Sequence, residues 1–82
     1  MNKISRLQKI LSANSVKKAI EYFGSGTNLA LKLGVYPQAV YTWKSSPENK
    51  SFIIIPVKHA IKIEKLSNGS ITRKELRPDV YN

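Results

Sequence analysis

Gln38, Tyr41, Thr42 and Ser45 stand at i, i+3, i+4 and i+7, a spacing that gathers them on one stripe of a helix. All four can form hydrogen bonds, so the chemistry open to them is recognition. A solvated face would also fit the spacing, but such a face normally carries Glu and Lys rather than exposed Tyr and Thr. Tyr41 has an alternative of its own, tucked against the edge of the core. Bond-making chemistry has no comparable set of residues. Catalysis needs a nucleophile or metal with an oriented acid or base, and the chain offers five scattered acidic residues and one histidine. His59 has no second His, no Cys and no carboxylate at ligand spacing, which favours a surface histidine over a metal ligand. No phosphate-cradling glycine pattern occurs. Neither an enzyme, a metal nor a cofactor is expected.

The stripe needs a helix held in one rotation, and the surrounding stretch Gly26 to Ser45, GTNLALKLGVYPQAVYTWKS, supplies it. Leu29, Ala30 and Leu33 share one side of a first short helix. Gly34 then marks its stop, because glycine takes the left-handed conformation that residues with a Cβ avoid. A second helix starts near Pro37, where the missing N–H costs nothing. Its inward face is Val40 and Trp43, with Ala39 at the crossing. Ala30 is small enough to let the second helix lie close across the first. With Trp43 inward, Gln38 points out.

Length and charge bound the reading. Eighty-two residues make one small domain, which buries only roughly 60 to 65 % of its unfolded surface, so extra stability is expected from a partner. Lys and Arg number 14 against 5 acidic residues, a net charge of +9. Such a balance favours polyanions, and for a compact domain that polyanion is nucleic acid. Without cysteine, neither disulfides nor thiolate metal sites hold the fold. The start, MNKISRLQKILSANS, lacks the apolar core of a signal peptide. The longest apolar run, Phe52 to Val57, is far short of the roughly 20 residues of a membrane helix. A cytoplasmic protein is expected.

The run Leu29-Ala30…Leu33-Gly34-Val35…Gln38-Ala39-Val40-Tyr41-Thr42-Trp43-Lys44 resembles the helix-turn-helix of the phage repressor superfamily. A later run, Ile63-Glu64…Thr72-Arg73-Lys74-Glu75-Leu76-Arg77-Pro78-Asp79, resembles the tail of Cro-like and YdaS-like regulators. The likeness covers roughly Val16 to Tyr81. It implies an all-α, compact five-helix lambda-repressor-like DNA-binding domain over residues 15–82, with the helix-turn-helix at Gly26 to Ser45, preceded by an N-terminal amphipathic extension over 1–14. It also implies an operator-binding repressor acting as a symmetric dimer, with half-sites about 34 to 36 Å apart.

On that reading the second helix enters the major groove, which is about 12 Å wide. Gln38 can donate and accept at once, matching the N6/N7 edge of adenine, and Thr42 offers a hydroxyl and a methyl to a base acceptor or to thymine. Tyr41 and Ser45 complete the base-contacting stripe. Tyr36 departs from the family, where a Ser, Thr or Asp caps the recognition helix. The cap is then supplied elsewhere or lost at roughly 0.5 to 2 kcal/mol, and Tyr36 is free to contact a phosphate or a base. Thr27 and Asn28, at the start of the first helix of the motif, are expected on phosphates, with capping alone as the alternative for both. Lys32, Lys44 and Lys50 flank the motif and are the expected backbone cations, setting register without reading sequence. The rival reading is an antitoxin-like or protein-interaction module using the helix-turn-helix as scaffold. Non-specific RNA or single-strand binding would want aromatic residues on an open basic surface, and Trp43 is assigned to the core.

The rest of the chain supports the motif. Ile4, Leu7, Ile10 and Leu11 share a face, with Lys3, Arg6 and Lys9 over the other sides, which predicts an extra N-terminal helix. It could pack on the domain, pair with its copy, stay frayed or lie on a membrane surface. Ala13-Asn14-Ser15 reads as a break with Ser15 as N-cap, followed by a helix from Val16 to Tyr22 with Val16, Ala19, Ile20 and Phe23 inward. Gly24 and Gly26 punctuate the next turn. After a polar loop, Phe52 to Ile55 reads as a short extended segment ending at Pro56. Alternation pairs Ile53 with Ile55 and Phe52 with Ile54. Phe52 and Ile54 then meet a second subunit, unless all four residues are buried under the helices. Val57 to Leu66 forms a helix with Val57, Ala60, Ile61, Ile63 and Leu66 as its apolar set and Asn68-Gly69 as its stop. Thr72 and Glu75 make a capping box for a last helix ended by Pro78. Glu64 and Arg73 match the tail motif of the family resembled, which implies that they pair and pin this helix to the previous one, and Val80 and Tyr81 fold back or reach a partner.

Overall fold

The computed structural model describes residues 4–81, so Lys3 of the N-terminal face lies outside the described residues. The described chain forms five helices and no strand: α1 (Arg6–Phe23), α2 (Gly26–Leu33), α3 (Pro37–Lys44), α4 (Val57–Leu66) and α5 (Arg73–Leu76).

The first helix begins with a capping box. Ser5 Oγ accepts from the Gln8 N–H at 3.0 Å, and Gln8 Oε1 accepts from the Ser5 N–H at 2.9 Å, satisfying two otherwise free donors. The helix then runs unbroken through Ala13-Asn14-Ser15. Neither the expected break nor the Ser15 N-cap exists, and the boundary between residues 14 and 15 falls inside the helix. The reason is tertiary. Ser15 Oγ lies 2.9 Å from the Leu11 carbonyl and 3.0 Å from the Glu75 carbonyl, so its single proton serves the helix and the link to α5. The packed face is correspondingly built of small residues, Ser12, Ala13, Ser15, Val16 and Ala19. The apolar set read from the sequence is not the packed one: Leu7 and Leu11 are exposed, and Ile4 and Ile10 are half-buried.

Val16 and Ala19 meet Leu29, Ala30 and Leu33 of α2, Val40 and Trp43 of α3, and Ala60 and Ile63 of α4 in one apolar cluster, with Ile20, Phe23 and Ala39 at its margin. On α4, Val57 and Ile61 are half-buried, whereas Leu66 is 41 % exposed. Leu66 thus leaves the expected apolar set, because the core beneath the last turn is filled by Ser67 and Ile71. Ser67 Oγ accepts from the Ile71 N–H at 3.1 Å.

The segment before α4 corrects a second expectation. Ile55 is wholly buried but Ile53 is 60 % exposed, and Phe52 and Ile54 are half-buried. Neither two-residue alternation nor common burial describes them. Among the described residues no strand imposes a period here; the Ile55 carbonyl instead accepts from Arg77 Nη1 at 3.1 Å.

Arg77 ties the C-terminal region together. Its guanidinium grips Asp79 through both oxygens, at 2.9 Å from Nε and 2.7 Å from Nη2, and the pair is only 13 % and 12 % exposed. Glu64 and Arg73 pair as the sequence suggests. The Glu64 carboxylate takes the Arg73 Nε–H at 2.7 Å and the first amide of α5 at 3.0 Å. The capping box at Thr72 forms only in part. Thr72 Oγ1 accepts from the Glu75 N–H, but the Glu75 carboxylate receives the Thr72 hydroxyl and Lys18 Nζ, each at 3.2 Å, rather than the Thr72 N–H. Arg73 lies 5.8 Å over the ring of Tyr81, while Val80 is exposed.

The Arg77 guanidinium holds the Asp79 carboxyl below its ordinary value of 3.8. A carboxyl with a depressed folded pKa contributes stability that is present above its unfolded value and is lost as pH falls towards the folded one. Thermal melts should therefore show stability falling below about pH 4, where a free aspartate takes up its proton. Asp79→Asn should lower stability at neutral pH by on the order of 2–3 kcal/mol and flatten this acid limb.

Candidate nucleic-acid interface

The helix pair α2 and α3 is set by its ends. Ser25 is the N-cap of α2, its hydroxyl accepting from the Asn28 N–H at 3.0 Å. Asn28 Nδ2 donates to the Phe23 carbonyl at 3.2 Å, so this amide also closes the turn from α1. Thr27 is exposed in the first turn and is not the cap. At the other end Gly34 adopts φ 73°, ψ 33°, a left-handed conformation that costs a residue with a Cβ about 1–2 kcal/mol. The Val35 N–H then reaches the Ala30 carbonyl at 3.0 Å, which reverses the chain within three residues. Tyr36 is the N-cap of α3 without any side-chain cap bond. Its ring is 84 % exposed.

Rotation of α3 is fixed from behind. Val40 is wholly buried and Trp43 is 4 % exposed, with the indole 5.2 Å from the His59 imidazole. Gln38 faces solvent. Thr42 and Ser45 are half-buried, and their hydroxyls donate to the carbonyls of Gln38 at 2.8 Å and Thr42 at 2.9 Å. Committed in this way, both present lone pairs outward and suit donors on a ligand rather than acceptors. Tyr41 leans back onto the first turn of α2. A Cβ at Gly26 would lie 3.3 Å from its ring and hydroxyl, so glycine makes room for it. Lys44 Nζ sits 5.5 Å from the same ring. Tyr41 therefore adopts the core-edge position while remaining 44 % exposed. Lys32 and Lys50 project into solvent and Lys44 is half-buried.

The electrostatics are one-sided. No acidic residue occurs between Glu21 and Glu48, a span that includes both helices of the motif. Glu64, Glu75 and Asp79 are engaged by Arg73, by Lys18 of α1 and by Arg77 respectively. Two cations that the sequence reading did not assign also approach α3. Arg6 and Lys17 line a cleft of about 240 Å³ against Ser45, Ser46 and Glu48, and Lys17 lines a second, of about 310 Å³, with Gly26, Tyr41 and Lys44. Their signal was the spacing of Arg6, Ile10, Ala13 and Lys17, at i, i+4, i+7 and i+11, which is one helix face only if α1 is unbroken. On the far side, Leu31 (74 % exposed) and Tyr36 border an open groove with Ala30, Gly34, Val35 and Pro37. Phe52 and Ile54 lie away from the motif in sequence and are partly covered by their own chain.

A basic all-helical chain with one helix strapped across another by a tight glycine turn, and a polar face turned outward, is a small helix-turn-helix module. The family model described as Bacterial toxin YdaS matches residues 16–82, and the chain belongs to that family. No curated protein and no solved structure matches it. No described helix is long and apolar enough to cross a membrane.

Burial, with Lys58 and Lys62 nearby, pushes the His59 imidazole below its ordinary 6.5. The neutral form is the one that stacks on Trp43, so its contribution to stability is present above 6.5 and lost as pH falls through the lower folded value. Trp43 fluorescence should fall in a step below pH 6.5 as the imidazolium forms. His59→Gln should remove the step, and a step that survives this substitution would assign it to another group.

Proposed function

We infer that this chain is a sequence-specific double-stranded DNA-binding repressor of Cro type, acting in the bacterial cytoplasm. The observation that carries the reading is the orientation of α3: Trp43 and Val40 are sealed inside, Gln38 faces out, and the stretch of sequence from Tyr22 to Pro47 holds no acidic residue. In this arrangement α3 enters the major groove. Gln38 reads a base edge, with adenine as the matching partner, and Thr42 and Ser45 accept from base amino groups. Tyr36, exposed at the leading end of α3, reaches a base or the adjoining phosphate. Thr27, Asn28, Lys32, Lys44 and Lys50 anchor the backbone and set the register. The protein binds as a homodimer on a roughly palindromic operator and represses by occluding a promoter. Phe52 and Ile54 are the proposed dimer contacts. No small-molecule substrate, cofactor or catalytic step enters this mechanism.

The family description supports a second reading, a toxin or a toxin's partner in which the helix pair is a scaffold for another protein. The feature favouring it is the apolar rim of Leu31 and Tyr36 beside the turn, since exposed apolar patches mark interaction surfaces. The two readings separate in one selection experiment. A repressor enriches a preferred duplex from a random pool and binds it at least about 10³-fold more tightly than random sequence. A scaffold enriches none, and its effect on growth is lost on Leu31→Ser but not on Gln38→Ala.

With the enriched duplex in hand, Gln38→Ala should relax preference at one base position by about 1–3 kcal/mol, while Lys44→Ala should weaken all sequences alike. Equal, uniform losses from both substitutions would remove the division between reading and anchoring.

A further inference from the structure

The unbroken first helix lays a row of residues beside α3. Arg6, Ile10, Ala13 and Lys17 occur at i, i+4, i+7 and i+11, and all four line the cleft closed on its other side by the loop after α3. Lys17 is also shared with the next cleft, whose far wall is Tyr41 and Lys44. The two clefts therefore form one shallow trough along the α1–α3 seam, with Lys17 at its middle. Asn14, Ser45 and Ser46 lie along it, the Ser45 and Ser46 hydroxyls already donating to the Thr42 carbonyl and to Glu48. Two acidic groups border it, Glu21 at one end and Glu48 at the other.

Glu48 is bound to Arg6 through Nε at 2.7 Å and through Nη2, and its second oxygen accepts from Ser46 Oγ at 2.5 Å. These contacts hold the carboxyl at about 2, so it stays ionised at any physiological pH. Yet Arg6 and Glu48 remain 71 % and 55 % exposed, and exposed ion pairs contribute little net stability. Glu48 meets Arg6 through one oxygen only, so an incoming phosphate, which can offer the guanidinium a separate oxygen for each N–H, can replace the carboxylate at little cost.

We propose that the α1–α3 seam is a second phosphate-binding track for one DNA strand, in which Lys17 is the central contact and Glu48 is a built-in competitor that keeps Arg6 occupied until a phosphate displaces it. The inference rests on the DNA-binding reading above and adds to it a contact surface outside the helix-turn-helix. Arg6 and Lys17 are 11 residues apart, about 16 Å along a helix. With phosphates about 3.4 Å apart along the axis of each strand, the two cations serve different phosphates. Glu48 thus lowers affinity for every duplex equally. It leaves base preference to α3.

The test uses the full chain, with wild type, Lys17→Gln, Glu48→Gln, the double variant Arg6→Gln/Glu48→Gln, and Gln38→Ala. Each is titrated at several salt concentrations against the enriched duplex and a scrambled duplex of equal length. Lys17 and Glu48 are both exposed, so thermal melts should match wild type. Lys17→Gln should weaken both duplexes by the same factor and reduce the slope of log K against log salt by about 0.9. Glu48→Gln should tighten both duplexes by the same factor and steepen the slope, and adding Arg6→Gln should cancel the gain. The track is overturned if Lys17→Gln leaves the slope unchanged or if Glu48→Gln fails to tighten binding. If wild type prefers the enriched duplex and Gln38→Ala loses that preference while the other variants change nothing, the track alone fails. If wild type prefers no duplex, the repressor reading fails with it.

Discussion

The burial of Trp43 and Val40 against α2 is the constraint on which the rest of the outward surface depends. An eight-residue helix is too short to persist in water without tertiary support, and α3 has no side-chain cap at its start. What holds it is one apolar face. Removing a buried tryptophan typically costs about 3–5 kcal/mol, a large part of the stability available to a domain of this size. The same face fixes rotation, because a turn of α3 by one residue, about 100°, would expose the indole and withdraw Gln38. Ala30, 1 % exposed at the crossing, and Gly26, under the ring of Tyr41, permit the close approach that makes this packing possible.

Charge is partitioned as clearly as apolar surface. Three of the five acidic residues are spent fastening α5 and the C-terminal turn: Glu64 on Arg73, Glu75 on Lys18 and Asp79 on Arg77. They neutralise Arg73, Lys18 and Arg77, and the helix pair itself carries Lys32 and Lys44 without an acidic residue of its own, with Glu21 of α1 lining the same cleft as Lys44. Of the excess of +9, Lys32 and Lys44 lie in the helix pair, a stretch with no acidic residue in its sequence. Concentration of like charge costs folding stability and raises the local attraction for a polyanion. The weak cap of α3 belongs with this pattern, since an acidic N-cap would have stabilised the helix and repelled a phosphate backbone at the same place.

The helix pair was legible in the sequence because its signals are local. Gly34, Pro37 and the 3.6-residue spacing of Leu29, Leu33, Val40 and Trp43 all act within a few residues. The same holds for the stop at Asn68-Gly69, where both residues take positive φ, whereas the pairing of Glu64 with Arg73, on two different helices, came from the family likeness. The failures came where a distant group decides. Ser15 reads as a cap because serine competes for nearby amides, but its hydroxyl is shared between the Leu11 carbonyl and that of Glu75, 60 residues away, and the helix continues through it. Ile53 and Ile55 read as one face because alternation presumes a sheet, whereas the Arg77 side chain catches the carbonyl between them and α4. Tyr41 falls on the Gln38 stripe by spacing, yet the space left by the missing Cβ of Gly26 draws its ring aside. Lys17 and Arg6 could be placed near α3 only once α1 was known to be continuous.

That continuity links two parts of the chain with different standing. The family model begins at residue 16, whereas α1 begins at Arg6. Lys17, the cation shared by both clefts, lies inside the matched span, as does Glu48. Arg6 lies outside it. The ion pair between Arg6 and Glu48 thus joins the additional turns of α1 to the loop that leaves α3, without touching any residue that sets the rotation of α3. A feature attached at that point can alter how strongly the surface attracts a polyanion, because it adds or masks charge beside α3. It leaves in place the side chains that α3 presents, because Trp43 and Val40 are held by α2, α4 and the Val16 to Ala19 part of α1. On the DNA-binding reading, strength and selectivity of recognition are therefore separable in this fold, the first carried by the first turns of α1 and the neighbouring loop and the second by the orientation of one eight-residue helix.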